Sequence, residues 1–349
     1  MSKMDSARFE GPSQGNTANL SVISIQKLLS DDAEEASRLF SACSEWGFFC
    51  LDLGSDEIES YRATTSLLND FAVQYFNKPL EEKMQDTNHA WETFNICGYK
   101  PRSLDTGNME GKKDGCEGLR LPADAILLPR THLRFPRGAE MHRDLAGTFI
   151  EQSHAIATLI LSRLSTSLDL TGASRLENLH RADQPSTSTA VMQHYPFEGD
   201  LPADTSSGHF AHTDTGSVTI LFNTEWGLQV CNPHSEEWQY VPPARGAHAI
   251  VNIGDTVKFL TAGRLKSCLH RVVPYLDRWT RGSRYAIIFF LRANNQVEFE
   301  DLEGQRWNAH DWLNRKFLNY RSPHEVQKQS PMATGRLGFV GLWKAGMTA

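Results

Sequence analysis

Apolar residues change their spacing twice along this chain. SVISI (21–25) alternates and predicts a short strand. Across 31–47, Ala36, Phe40, Cys43 and Gly47 recur at helical spacing, and the acidic start and closing glycine suit the two helix ends. FFCLDL (48–53) predicts a strand. Tyr61, Thr65, Leu68, Ala72, Tyr75 and Phe76 place a helix over 56–76, and PLEEKM (79–84) adds a short one opened by proline. Residues 86–138 show little periodicity and predict a long loop of the kind that serves as a lid. Leu145, Phe149, Ile156, Ile160 and Leu164 then mark a long amphipathic helix over 141–170.

After residue 186 the period shortens. Strands are predicted at 187–195, 217–222, 227–232, 238–242, 249–253, 256–260, 269–275 and 284–293, separated by Gly, Pro, Asn or Asp. Such spacing predicts an antiparallel sandwich or barrel, read here as a jelly roll. A helix at 309–321 follows, and the Gly-rich, apolar end offers Phe339, Leu342 and Trp343 either as cover for the barrel mouth or as simple packing. The expected fold class is α+β. The expected division is a disordered tail (1–20), a helical region (21–185), a β core (186–295) and a C-terminal helical segment (296–349).

Composition narrows the function. The 349 residues carry 35 basic and 42 acidic side chains, a net charge of −7. Nucleic acid and anionic membrane surfaces both select basic faces, so neither is an expected partner. No apolar run is long enough to span a bilayer. The six cysteines are scattered without a CxxC pair, and MSKMDSARFE lacks the apolar centre of a secretory signal, so a reducing cytoplasm is the expected compartment. Nothing in the chain predicts its oligomeric state.

The chemistry-bearing residues lie in the β half. His212 and Asp214 are two apart, and on extended backbone such side chains point the same way. His270 falls on another predicted strand. Two imidazoles and one carboxylate on one barrel face make the 2-His-1-carboxylate set of non-haem Fe(II), which leaves coordination positions open. His194, His209 and His248 read as surface or core histidines. Arg284 begins an apolar strand, where it is either a surface residue or a buried fork for an anion. Phe290, six residues on, shares its side of an ideal strand, as an aromatic wall or as core.

GLQVCNPHSEEWQYVPPARGAHAIVNIGDTVKFLTAGRLKSCLHRVVPY, with HTDTGSVTILF before it and RYAIIFFL after it, resembles the isopenicillin N synthase-like Fe(II)/2-oxoglutarate-dependent dioxygenases. SEWGFF (44–49), KPLEEK (78–83), Gly98-Tyr99 and KDGCEGLRL (113–121) resemble the same family's N-terminal part. The resemblance implies a double-stranded β-helix core using Fe(II), 2-oxoglutarate and O2, with ascorbate as an optional reductant, to oxidise an unactivated C–H of a small organic molecule. His212, Asp214 and His270 match the iron ligands, Arg284 and Tyr195 the residues that bind the distal carboxylate of 2-oxoglutarate, and Gln193 a position near its metal-binding end. Ala286 stands where the family's Arg-x-Ser motif has serine, so one hydroxyl donor is missing. The implied substrate pocket includes Phe290, with Tyr99 and Phe94 in a lid. Two other readings stay open: an Fe(II)/O2 oxidase that dispenses with 2-oxoglutarate, and a non-enzymatic ligand-binding jelly roll.

Overall fold

A computed structural model describes residues 16–87, 97–128, 131, 133–196, 198–223, 225–244, 246–275, 282–338 and 341–344. The N-terminal half runs β1 (Val22–Ser24), α1 (Ile25–Leu29), α2 (Ala33–Glu45), β2 (Phe48–Asp52), α3 (Glu59–Phe76), α4 (Leu80–Met84), β3 (Gly98–Lys100), β4 (Lys113–Asp114), β5 (Glu117–Pro122), α5 (Asp124–Leu127) and α6 (Arg143–Ser167). The second half contains β6 (Thr189–Tyr195), β7 (Thr205–Ser206), β8 (His209–His212), β9 (Val218–Asn223), β10 (Leu228–Cys231), β11 (Trp238–Tyr240), β12 (His248–Ile253), α7 (Asp255–Leu260), β13 (His270–Val272), β14 (Arg284–Leu291), β15 (Glu298–Glu300), β16 (Arg306–Asn308), α8 (Ala309–Arg321) and α9 (His324–Gln327).

Two sheets form the jelly roll. The larger has the order β1-β2-β12-β9-β14-β6-β5-β3, and the smaller β11-β10-β13-β8. Every pairing in them is antiparallel except β1 with β2. The long helix α6 covers the outer face of the large sheet, burying Phe149, Ile150, Ile156, Ile160, Leu161 and Leu164. Each such side chain contributes about 1.5–3 kcal/mol by leaving water. Helix α2 starts where Asp32 accepts a hydrogen bond from the Glu35 amide, and it gives way to Gly47 at φ +71°. A Cβ on Gly47 would lie 2.1 Å from the Lys266 carbonyl oxygen, so the chain closes on the helix end only with glycine there.

Several expectations change. Residues 256–260, read as a strand, form α7: Gly254 and Asp255 begin the turn, and TVKFL is short enough to suit either period. The supposed loop 86–138 contributes β3 and β5 to the large sheet, and β1 and β2 join it from the other side, so the sheet draws on both halves of the chain. Of the expected tail, residues 16–20 lie on the body: the Ala18 amide donates to the Tyr240 carbonyl at 2.8 Å and Ala18 is buried. Residues 1–15 lie outside the described residues. All six cysteines are free, and among the described residues no helix is long and apolar enough to cross a membrane.

Candidate active site

The site lies between the two sheets, on the inner faces of β6, β8, β13 and β14. His212 ends β8 and His270 begins β13, directly paired across the small sheet. Asp214 follows in the turn toward β9. One donor atom from each of the three lies within 4.8 Å of the others. Asp214 Oδ1 is 3.6 Å from His212 Nε2 and 3.7 Å from His270 Nε2.

The hydrogen bonds behind these groups decide which atoms point inward. His212 Nδ1 faces the Phe210 carbonyl at 2.8 Å, and His270 Nδ1 faces the Cys268 carbonyl at 3.1 Å. Carbonyls can only accept, so each Nδ1 carries the proton and each Nε2 presents its lone pair. Asp214 Oδ2 accepts from Thr219 Oγ1 at 2.6 Å and from Asn252 Nδ2 at 2.7 Å, which leaves Oδ1 for the shared point. Burial alone would raise the Asp214 carboxyl, but the neighbouring His270 and His212 and the Asn252 hydrogen bond outweigh it and hold it well below the usual range. Burial, reinforced by His212, pulls His270 down to about 4, so its ring is neutral at ordinary pH, as a metal ligand must be. Two imidazoles turned Nε2-inward and one carboxylate on one side of a point suit Fe(II) with positions left open.

The Asp214 turn is clamped from the C-terminal side. The Asp255 amide at the start of α7 donates to the Asp214 carbonyl at 2.8 Å, and Tyr320 on α8 donates to the Thr213 carbonyl at 2.9 Å. Lys316 is fully buried, ion-paired with Asp255 and bonded to Thr213 Oγ1 at 2.7 Å. Thr219, Asn252, Asp255, Lys316 and Tyr320 were not legible as site residues, because their roles depend on contacts across strands and helices.

Two cavities meet at His212 and Asp214, and His209, Gln193 and Phe290 also line both. The first contains Arg284, Tyr195, Ala286 and Ile288 among Leu221, Leu228 and Val272. Arg284 is 1% exposed, with its guanidinium carbon 4.8 Å from the Tyr195 ring centre. Its Nε and Nη1 have no hydrogen-bond partner among the described residues. Buried donors of this kind suit a carboxylate. Tyr195 donates to Gln193 Oε1 at 2.8 Å, and Gln193 pairs across the sheet with Ala286.

The second cavity extends toward Lys100, Arg120, Arg292, Phe317 and Tyr320. It is more cationic than an aromatic, apolar substrate pocket. Phe290 stands between the two cavities, on the Arg284 side of β14 as strand alternation requires. Tyr99 lines neither: it is buried on the opposite face of β3, bonded to Glu117, and Lys100 is the residue that turns inward. Phe94 and Phe339 lie outside the described residues. His209, read as a surface or core residue, is part of the site wall. Its neighbours Asp114 and Cys116 complete a second potential donor set, but the Lys100 ammonium already pairs with Asp114 there.

Comparison with known proteins decides the family. Residues 186–293 match the 2OG-Fe(II) oxygenase superfamily, and residues 20–136 match the non-haem dioxygenase in morphine synthesis N-terminal family. The chain is 36% identical over 320 residues to the 2-oxoglutarate-dependent dioxygenase frbH of Dothideomycetidae sp. (strain 11243), covering 92% of this chain and 96% of that protein. This chain belongs to the 2OG-Fe(II) oxygenase superfamily. As a member it is an oxidoreductase that uses Fe(II) and 2-oxoglutarate on a small molecule. The 2-oxoglutarate-dependent dioxygenase FG08081 of Gibberella zeae is also 36% identical over 320 residues, covering 91% of this chain and 93% of that one. The superfamily's fold agrees: the rice dioxygenase for auxin oxidation superposes with a TM-score of 0.62 at 22% identity, covering 88% of this chain and 98% of that one.

Proposed function

We propose that His212, Asp214 and His270 hold the iron, that Arg284 and Tyr195 bind the distal carboxylate of 2-oxoglutarate, and that the enzyme oxidises a C–H bond of a small natural product. In the simplest outcome R–H, O2 and 2-oxoglutarate become R–OH, succinate and CO2; desaturation and ring rearrangement share the same start. When bound, the iron and 2-oxoglutarate supply the oxidising power. The chain's own residues do the rest. Thr219 and Asn252 aim Asp214, and the Phe210 and Cys268 carbonyls fix the two imidazole tautomers. Arg284 draws an anion to one end of a cavity whose walls, including Phe48, Leu221, Leu228 and Ile288, exclude water.

The observation that carries this reading is the pairing of an open donor set with a buried guanidinium whose donors lack partners in the same cavity. Gln193 sits between them, bonded to Tyr195. The N-terminal match to a family described by morphine synthesis supports a natural-product substrate. The test is stoichiometry: one succinate per product when Fe(II), 2-oxoglutarate and substrate are supplied together. Product without succinate would identify the oxidase reading instead. Failure to bind Fe(II) would identify a ligand-binding jelly roll.

A further inference from the structure

His212 and Asp214 converge on one point although the chain between them belongs to no strand. Strand β8 ends at His212 and β9 begins at Val218, so the peptide groups of 213–215 lie outside the sheet ladders. Thr213, Asp214 and Thr215 are all buried, and buried peptide carbonyls need donors. Those donors come from the two helices behind the turn. Tyr320 donates to the Thr213 carbonyl at 2.9 Å, the Asp255 amide to the Asp214 carbonyl at 2.8 Å, and Trp312 Nε1 to the Thr215 carbonyl at 3.2 Å. Thr256 Oγ1 adds a second bond to the Thr215 carbonyl at 3.0 Å.

Trp312, Lys316 and Tyr320 recur every fourth residue and so share one face of α8. The helix is fixed at its start, where Asn308 accepts from the Asp311 amide at 2.8 Å, and Trp312 packs edge-on against Phe259 and Trp307 with ring centres 5.1 and 5.5 Å away. One turn on, Lys316 is fully buried. Its ammonium pairs with the Asp255 carboxylate and donates to Thr213 Oγ1 at 2.7 Å, while Thr213 Oγ1 donates to Asp255 Oδ2 at 3.1 Å. This closed triangle encloses Asp214 from both sides, since Thr213 precedes it in the chain and the Asp255 amide holds its carbonyl. A buried ammonium joined to a carboxylate and a hydroxyl fixes both partners in place. One further turn on, the Tyr320 ring meets the rings of Phe210 and His212 edge-on, at 4.8 and 5.8 Å. The Phe210 carbonyl is the acceptor that fixes His212 Nδ1. Tyr320 therefore supports His212 through its ring and the peptide leading into Asp214 through its hydroxyl.

We propose that Lys316 and Tyr320 are positioning residues for the metal: from one face of α8 they hold the turn that brings Asp214 beside His212, and so they set the affinity for Fe(II). Neither supplies a donor to the ligand set; both act through Thr213 and the peptide groups around Asp214. A site already ordered before the ion arrives binds it more tightly, because no ordering cost remains at binding. Helix α8 lies beyond residues 186–293, the part that matches the oxygenase superfamily, so this grip comes from outside the matched core. The proposal rests on the reading of His212, Asp214 and His270 as the iron ligands, and it names residues on which that same site depends.

The test uses the full chain freed of metal. Fe(II) is titrated under nitrogen by calorimetry, and Co(II) is added separately as a probe whose visible absorption bands report ligand geometry. Tyr320→Phe keeps the ring and removes one hydroxyl, and its Kd for Fe(II) is expected to rise by about tenfold, with shifted Co(II) bands. Lys316→Met, which opens the triangle, is expected to raise the Kd by about tenfold to a hundredfold. Thr213→Val removes the hydroxyl through which Lys316 acts, so it should weaken Fe(II) as well, and Lys316→Met should cost less in that background than alone. Leu318→Ala, on the exposed side of α8, is the control and should stay within about twofold of wild type. The thermal midpoint of the metal-free protein is read beside each titration. A merely structural role would lower that midpoint and leave the Fe(II) Kd and the Co(II) bands of the folded protein unchanged, and this result in Tyr320→Phe and Lys316→Met overturns the proposal. An equal rise in Leu318→Ala and Tyr320→Phe also overturns it, because the effect would then belong to the helix at large. Should Lys316→Met fail to fold, Tyr320→Phe and Thr213→Val decide the matter by the same two readouts. Failure of the underlying reading looks different: wild-type protein would then bind no Fe(II), or His212→Ala would bind it as tightly as wild type.

Discussion

Strands β14, β6 and β5 bury charged groups on both of their faces, and the two faces treat them differently. On the helix-covered face, Glu117 accepts from His194 at 2.8 Å, from Lys83 at 2.8 Å and from Tyr99. The His194 ring stacks on Tyr285 with centres 4.7 Å apart. Both carboxylate oxygens of Glu117 are engaged. On the inner face, Arg284 and Arg292 keep donors with no partner among the described residues. A buried charge closed on its own neighbours serves the fold; a buried charge left open toward a cavity serves a ligand. Buried charged residues on opposite faces of the same sheet therefore take opposite roles.

The sharpest way to break this contrast is at the metal end. His212→Ala removes one of three donors and should abolish iron retention and turnover together; metal analysis of the purified variant checks the first, and full turnover would refute the assignment. Next comes Arg284→Leu, which removes the open guanidinium. Loss of two charge-assisted hydrogen bonds predicts a rise of about a hundredfold or more in the KM for 2-oxoglutarate. Thermal stability should change little or rise, since an uncompensated buried charge is removed, and an unchanged KM would place the anion elsewhere.

The opposite face should answer in the opposite way. Glu117→Gln leaves the Lys83 ammonium buried without its carboxylate, at a cost of about 3 kcal/mol in stability, while the KM for 2-oxoglutarate stays put. The same group predicts a pH effect. Burial alone would raise the Glu117 carboxyl, but hydrogen bonds from His194, Lys83 and Tyr99 outweigh it and pull it to about 2. Its folded value is thus below its ordinary one of 4.5, so its stabilisation is complete above about pH 4.5 and is lost as pH falls toward 2. Acid unfolding followed by circular dichroism should be less steep in that window for Glu117→Gln.

Much of this was legible in the chain, for reasons that also explain the gaps. The period of two along 284–290 correctly put Phe290 on the Arg284 side, and carrying it one step further reaches Arg292. The same alternation is present in EGLRLP (117–122), which forms β5, but flanking glycines and charged turns hid this strand of six residues inside a stretch read as a loop. Tyr99 and Lys100 show how little separates a correct face from a wrong one: adjacent strand residues point to opposite sides, and an aromatic residue looked the better pocket wall. TVKFL turned helical because Gly254 and Asp255 open a turn that the apolar run alone does not reveal. The Thr219 and Asn252 bonds to Asp214, and the Lys316–Asp255 pair under its turn, join residues from 5 to 61 positions apart, beyond the reach of any local pattern.

The smallest expected effect tests the contrast most finely, at the position where this chain departs from its family's motif. Ala286 is buried, lies two residues from Arg284 on the same face, and pairs across the sheet with Gln193. Its methyl group faces the cavity that Arg284 closes. If the distal carboxylate of 2-oxoglutarate lies against Arg284, Ala286→Ser places one new hydroxyl donor beside it without disturbing the helix-covered face. One neutral donor nets about 0.5–1.5 kcal/mol, so the KM for 2-oxoglutarate should fall by about two- to tenfold with kcat held. In the Arg284→Leu background the same serine should gain almost nothing, because the anion it would assist is no longer held there. A gain of equal size in both backgrounds would mean that the hydroxyl acts on the protein rather than on the co-substrate, and the carboxylate would have to be sought away from the Arg284 end of the barrel.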